Sequence, residues 1–282
     1  MAPRLVLSGC LLAAFTLAAS AQEVQYIPRD LYSEQLLRDG NTITFCYNPD
    51  GMMADFEIEL AEAIGSVLLV EANAVPLPNT QLTTPPLDYR LPLMPEQLFI
   101  VFAETCDALL GYALSASNPE WLSSTRPYMQ TGTVVVVKDA AYQSLEDVPL
   151  DRPIGARAMS PSDNRLIGFI QARPEAQRWR RFPYYDNQIV MQRVLDDTLG
   201  AGIVWEPALY FFTDGDPAAA GFRILDLPFQ TPSVDIGIST RSDNSYLNTT
   251  LSTAIEELVA DGTIERLLQE HHLAPPAEGA AQ

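Results

Sequence analysis

Basic residues are scarce in this 282-residue chain: 17 lysines and arginines stand against 36 aspartates and glutamates, for a formal charge of −19. A surface that acidic repels nucleic acid and anionic lipid head groups, so neither is an expected partner; the excess of acid favours solubility or a cationic partner. Histidine is scarcer still. His271 and His272 adjoin near the C-terminal end, and adjacent residues on a helix point about 100° apart, so the two do not converge on a metal. The chain has no Gly-x-Ser-x-Gly elbow and no cysteine with a plausible histidine partner. Asp55, Glu57 and Glu59 lack the Asp-x-Asp-x-Asp-Gly spacing of a calcium loop. Catalysis and metal binding are therefore not expected, and no cofactor is implied. Beyond the first 21 residues no apolar stretch approaches the ~20 residues needed to cross a bilayer.

Those first residues are of a different kind. MAPRLVLSGCLLAAFTLAASAQ places Arg4 before an apolar run from Leu5 to Ala19 and ends in Ala19-Ser20-Ala21. This is the layout of a secretory signal cut after Ala21, which leaves a soluble, exported chain beginning at Gln22. Removing it takes away one arginine and no acid, so the charge moves from −19 to −20. Leu7-Ser8-Gly9-Cys10 resembles a lipoprotein cleavage box, but only three apolar residues separate Arg4 from Ser8, too few for the apolar region such a signal needs.

About 260 residues remain, enough for one large or two modest domains. TITFCYN at 42–48 predicts a strand. The helix that follows at 55–69 carries Phe56, Leu60, Ala61, Ile64 and Leu68 at helical spacing, with Asp55 as its N-cap. Six prolines across 72–95 predict an irregular connection, unlike a regular strand. A helix at 95–104 and a short buried strand at 106–114 complete an α/β layer. VVVV at 134–137 reads as a strand covered on both faces. Past it the pattern recurs: a strand at 153–157, a Ser-Pro-Ser-Asp-Asn knuckle, a helix, a second helix from 188, the strand AGIVW and another helical run. Two strands within 223–240 and two helices broken at Asp261-Gly262 finish the chain, and the tail from 274 to 282 is expected to be disordered.

Cys10 leaves with the signal, so Cys46 and Cys106 remain. An oxidising compartment favours pairing them. If Cys46 ends one parallel strand and Cys106 begins its neighbour, however, several residues of ~3.3 Å rise separate them along the sheet, beyond the ~7 Å reach of a disulfide. Two buried thiols are expected on that register.

The order of FEIELAEAIGSVL, CDALLGYAL, STRPYMQTGTVVVVK, SLEDVPLDRPIGARAMSPSDN and LSTAIEELVADGTIERLLQEHHL resembles the type II periplasmic solute-binding proteins of family 3, the receptors of ABC importers for polar amino acids. The resemblance implies a two-lobed α/β fold, each lobe a mixed, mainly parallel sheet flanked by helices, with two crossover strands as hinge. Its first lobe would comprise 22–134 with 238–273, its second 135–237, and the crossovers would fall near Val134 to Lys138 and Ile236 to Thr240. Within that group, TRPY, AGIVWEPALYFF and a first-strand cysteine paired with Cys-Asp-x-x-x-Gly are similar to the solute-binding-like proteins that accompany quinoprotein methanol dehydrogenases, the MxaJ and XoxJ type. The chain departs from that branch at Trp205-Glu206-Pro207, usually Trp-Gly-Pro, and at Met129-Gln130, usually Tyr-Arg. What the resemblance implies is a monomeric, non-enzymatic periplasmic protein accessory to a quinoprotein (PQQ-dependent) methanol or alcohol dehydrogenase or its cytochrome. The alternative is an ABC permease's receptor for a small polar solute that is not an ordinary α-amino acid.

In such a fold the residues just after each strand face the cleft. The ligand-binding candidates are accordingly Tyr47, Asn48, Tyr112, Ser115, Arg157, Ser160, Ser162, Trp205 and Glu206. An α-amino acid requires a fixed cation for its carboxylate and a fixed anion for its ammonium, because an unpartnered buried charge is costly. The resemblance puts Trp121 and Trp205 at those two positions. Arg126 reads as a structural salt-bridge residue. Arg157 and Glu206 are open to two readings, ligand charges or a lobe-to-lobe salt bridge. The knuckle from Ser160 to Asn164 is likewise open between anion binding at a helix start and plain capping. The aromatics of WRRFPYYDN at 179–187 read as packing beside a basic strip.

Overall fold

The computed structural model describes residues 41–77, 95–114 and 118–276. The expected signal peptide, most of the proline-rich connection, Ser115 and the end of the tail lie outside the described residues. The chain runs β1 (Thr42–Tyr47), α1 (Ala54–Leu68), β2 (Glu71–Pro76), α2 (Pro95–Glu104), β3 (Ala108–Ala113), β4 (Leu122–Ser124) and β5 (Met129–Thr131). It continues through β6 (Thr133–Val137), β7 (Ile154–Arg157), α3 (Pro161–Gln171), β8 (Arg181–Tyr184), α4 (Asn187–Leu195), β9 (Ala201–Trp205), α5 (Glu206–Phe212) and β10 (Arg223–Leu225). β11 (Val234–Arg241), α6 (Ser245–Ala260) and α7 (Thr263–Glu270) close it.

These strands form two mixed sheets. The first has the order β2-β1-β3-β11-β4, with β5 also on β11; the second has β10-β6-β9-β7-β8. β1 is parallel to β2 and β3, and β7 to β8 and β9, whereas β11 and β6 run antiparallel to their neighbours. The chain passes from the first sheet to the second at Gly132 and returns between Leu225 and Val234. This is the two-lobed α/β architecture of the type II periplasmic binding fold.

Apolar periodicity builds each lobe. Phe56, Leu60 and Ile64 of α1 are fully buried against β1 and the terminal helices, each contributing about 1.5–3 kcal/mol of burial. In β6, Val135 and Val137 enter one core of the second lobe and Val136 the other. That explains four β-branched residues without polar alternation: the strand is covered on both faces.

Several expectations are corrected. Residues 71–76 form a strand despite Pro76, because β2 lies at the sheet edge, where a missing N–H costs little. Met53, without a side-chain hydrogen bond, holds the N-cap position of α1, and Asp55 sits inside the first turn. WRRFPYYDN contributes β8, which the aromatic density had concealed. Cys46 and Cys106 are joined in a disulfide, their Cα atoms 5.7 Å apart. The in-line register holds only from Asp107 onward, whose N–H donates to Thr44 O, and Cys46 lies opposite Leu109. Cys106 instead donates its N–H to Val101 O, closing the last turn of α2. The chain therefore descends onto the sheet face at Cys106 rather than running along it, and that descent removes the expected separation.

Candidate functional site

The wall contributed by the first lobe forms where β1 and β3 end. Tyr47, half-buried, closes β1 and packs against the main core. The exposed Asn48 opens a turn in which its C=O accepts the Gly51 N–H at 3.1 Å and its Oδ1 accepts the Asp50 N–H at 3.3 Å. β3 carries an extra residue against β11, since Tyr112 lies opposite Gly237 but Leu109 opposite Ser239. Gly111, at φ +67°, occupies that bulge, and Tyr112 beyond it is half-buried against the core that holds the disulfide. The Tyr112 hydroxyl donates to Asn118 Oδ1 at 3.2 Å, and Asn118 Nδ2 to Ser124 Oγ at 3.1 Å.

In the second lobe, β7 and β9 are parallel neighbours whose C-terminal ends bring Arg157, Ser160, Ser162, Trp205 and Glu206 to one edge. The knuckle is a cap. Ser160 Oγ accepts the Asp163 N–H at 3.1 Å, donates to Arg157 O at 2.7 Å and lies 3.0 Å from Ser162 Oγ. Asp163, 1% exposed, accepts the Met159 N–H and is gripped by Arg181 through two bonds of 2.5 and 2.6 Å. The first turn of α3 thus already holds a carboxylate, which favours capping over an anion site for Ser160 and Ser162. Replacing Arg181 with alanine strands that buried charge. The expected loss is about 2 kcal/mol, below the 3–5 typical of a fully buried pair because Arg181 is partly exposed; urea titration of the variant against wild type checks it.

Trp205 ends β9 and packs with Phe211 of α5 against the core of the first lobe. Glu206 donates its N–H to Gly132 O at 3.1 Å, and its Oε2 would lie 3.7 Å from a side-chain carbon at Gly132. β9 and α5 are in this way anchored at the point where the chain changes sheets. Burial first, and the charge of Glu206 second, raise the Tyr210 phenol above its ordinary value. Neither Arg157 nor Glu206, both on the second lobe, has an ion partner among the described residues, so neither forms a salt bridge to the first lobe.

Trp121 stands elsewhere. It is 3% exposed, edge-on to Phe99 at 5.3 Å and Phe102 at 6.3 Å, in the small core that holds the disulfide. Arg126 pairs with Glu256 at 2.6 Å on the outer surface, as a structural residue should. His271 reaches Glu59 at 3.3 Å, and no group of three metal-ligating side chains occurs among the described residues. The set that sequence reasoning missed is Glu57, Gly111 and Tyr128, which meet beneath the wall of the first lobe. One signal was available: Glu57 shares the buried stripe of α1 with Leu60, Ala61 and Ile64, at helical spacings of three, four and seven.

No family model matches the chain, and no curated protein matches it. Solved structures do. An ancestral cationic amino acid solute binding protein aligns with a TM-score of 0.64 and 17% identity over 83% of this chain and 96% of its own. The second substrate-binding domain of GlnP from Lactococcus lactis aligns at 0.64 and 12%, over 83% and 96%. The L-cystine solute receptor of Neisseria gonorrhoeae, in its unliganded open conformation, aligns at 0.59 and 18%, over 82% and 92%. At these identities the likeness is one of fold, and it extends over nearly the whole of each receptor.

Proposed function

We propose that this chain is an extracytoplasmic, non-catalytic binding protein whose cleft is closed to ordinary α-amino acids, and that it serves a quinoprotein alcohol dehydrogenase system as an accessory. The observation that carries this reading is the placement of Trp205. The indole packs against the core of the first lobe; on this reading it takes space between the lobes, and it offers no anion for an ammonium. Trp121, sequestered beside the disulfide, offers no cation for a carboxylate. The remaining resemblance of TRPY and AGIVW to the dehydrogenase-associated branch supplies the partner class, either the dehydrogenase or its cytochrome. The disulfide accords with export to an oxidising compartment.

A second reading, a receptor that hands a small polar solute to an ABC permease, is favoured by the charges of Glu206 and Arg157, without ion partners among the described residues, and by the receptors that share the fold. A thermal-shift screen against amino acids, small acids, amines and alcohol-derived metabolites separates the two, because a ligand at 100 times its Kd adds about 2.7 kcal/mol to stability. Silence across the panel, together with retention of the protein on an immobilised quinoprotein dehydrogenase or its cytochrome, is the expected result. A shift with one solute class establishes the receptor instead.

A further inference from the structure

Glu57 is an acid on the apolar face of a helix, 3% exposed. The Asn48 N–H reaches its carboxyl group, and Oε2 is buried with no hydrogen-bond partner among the described residues. Its Oε1 occupies the room that Gly111 leaves, since a side-chain carbon at Gly111 would overlap it. The Gly111 N–H donates to the Tyr128 hydroxyl at 2.9 Å, and the Tyr128 ring lies 5.8 Å from that of Phe56. Three separate segments therefore meet on one carboxyl: the turn after β1, the bulge of β3 and the approach to β5. The first two carry Asn48 and Tyr112, which form the wall described above.

We propose that Glu57 is the positioning residue of this wall and that it acts as an uncharged carboxylic acid, so that its ionisation draws water to the buried Oε2 and opens the packing of the Asn48 turn and the Gly111 bulge around it. The opening works against the stronger bond that the Asn48 N–H makes to the charged form. A carboxylate at this place would have one N–H donor and no cation to hold its charge. Burial raises Glu57 from 4.5 to about 8, with the Asn48 N–H opposing, and it raises the Tyr128 phenol too, helped by the nearness of Glu57. Among the other charged groups on the elements packed against α1, Arg266 pairs with Glu270 and Glu265 accepts from Gln269 on α7, while Glu257 of α6 is exposed. His271, beyond α7, lies edge-on to Phe56, with its Nε2 buried, 3.3 Å from Glu59 and without a hydrogen-bond partner among the described residues; Glu256 of α6 pairs with Arg126; Glu71 of β2 accepts from Thr42. Asp55 and Glu59 on α1 itself are exposed.

The sign follows from the folded value lying above the unfolded one. Stability from this group is complete below about pH 4.5, falls as pH rises, and is lost once pH passes about 8. The inference does not depend on what the cleft takes. Its test is amide hydrogen exchange at Asn48 and Gly111 by NMR between pH 5 and 9, corrected for intrinsic base catalysis, with the Glu57 carboxyl titrated by carbon-13 in the same samples. Wild type is expected to titrate near 8 and to open roughly tenfold or more at both amides across that range. Glu57→Gln, uncharged and of the same shape, is expected to stay protected throughout, and Glu57→Ala to be open at every pH. A carboxyl titrating near 4.5, or a Gln variant that opens with pH as wild type does, overturns the proposal. The wild-type titration alone decides it should the variants fail to fold.

Discussion

Replacing Cys46 and Cys106 with alanine, or reducing their bond, is expected to lower stability by about 4 kcal/mol. The bond closes a loop spanning 60 residues, and the chain-entropy relation assigns roughly that value to a cross-link of this span. The loop contains α1, β2, α2 and the whole proline-rich connection, so the unfolded chain gains a great deal of freedom when the link is cut. In the folded state the bond ties the last turn of α2 to β1 within a core shared by Leu98, Phe102, Leu109 and Trp121. Two alanines leave that core short of two sulfur atoms, a further loss in the same direction. Urea unfolding with and without a phosphine reductant measures the effect, and the mass of the alkylated protein under each condition confirms that the bond was present or cut. Equal midpoints with a verified change in mass would show that the link closes no freedom the unfolded chain otherwise has.

Gly111→Ala is expected to cost about 3 kcal/mol or more. The backbone at φ +67° is in the left-handed region, where an ordinary residue is penalised by about 1–2 kcal/mol. The added methyl group also displaces the buried Glu57 carboxyl, breaking its contact with the Asn48 turn. Conformation and overlap are separable by a double-mutant cycle. In a Glu57→Ala background the backbone penalty persists while the overlap vanishes, so the glycine substitution should cost about 2 kcal/mol less there. Full additivity would place the cost in the backbone alone.

Much of the fold was legible because it rests on local periodicity. The period of α1, the valines of β6 and the break between α6 and α7 at Gly262, φ +79°, are each written in a few consecutive residues. The capping role of Ser160 was legible as one of two readings, since a Ser-Pro start followed by an acid at the third helical position names its own hydrogen bonds. β2 and β8 were not, because prolines and aromatics occupy edge positions whose tolerance depends on the neighbours they lack.

By itself the sequence determined the helices, the buried strands and the two α/β layers, since these depend on residue identity and spacing. Tertiary structure decided where the side chains went. Trp121 and Trp205 are the same residue type at two positions that the resemblance treats alike, yet one lies in the core beside the disulfide and the other spans the lobes. The disulfide turned on whether the chain meets the sheet along its plane or from above, which depends on how α2 ends. Glu57 shows the same limit most sharply. An acid within a buried stripe is visible in the sequence, but its burial is completed by a glycine 54 residues later that leaves room for the carboxyl and a tyrosine 71 residues later that bonds to that glycine, groups that only packing brings together.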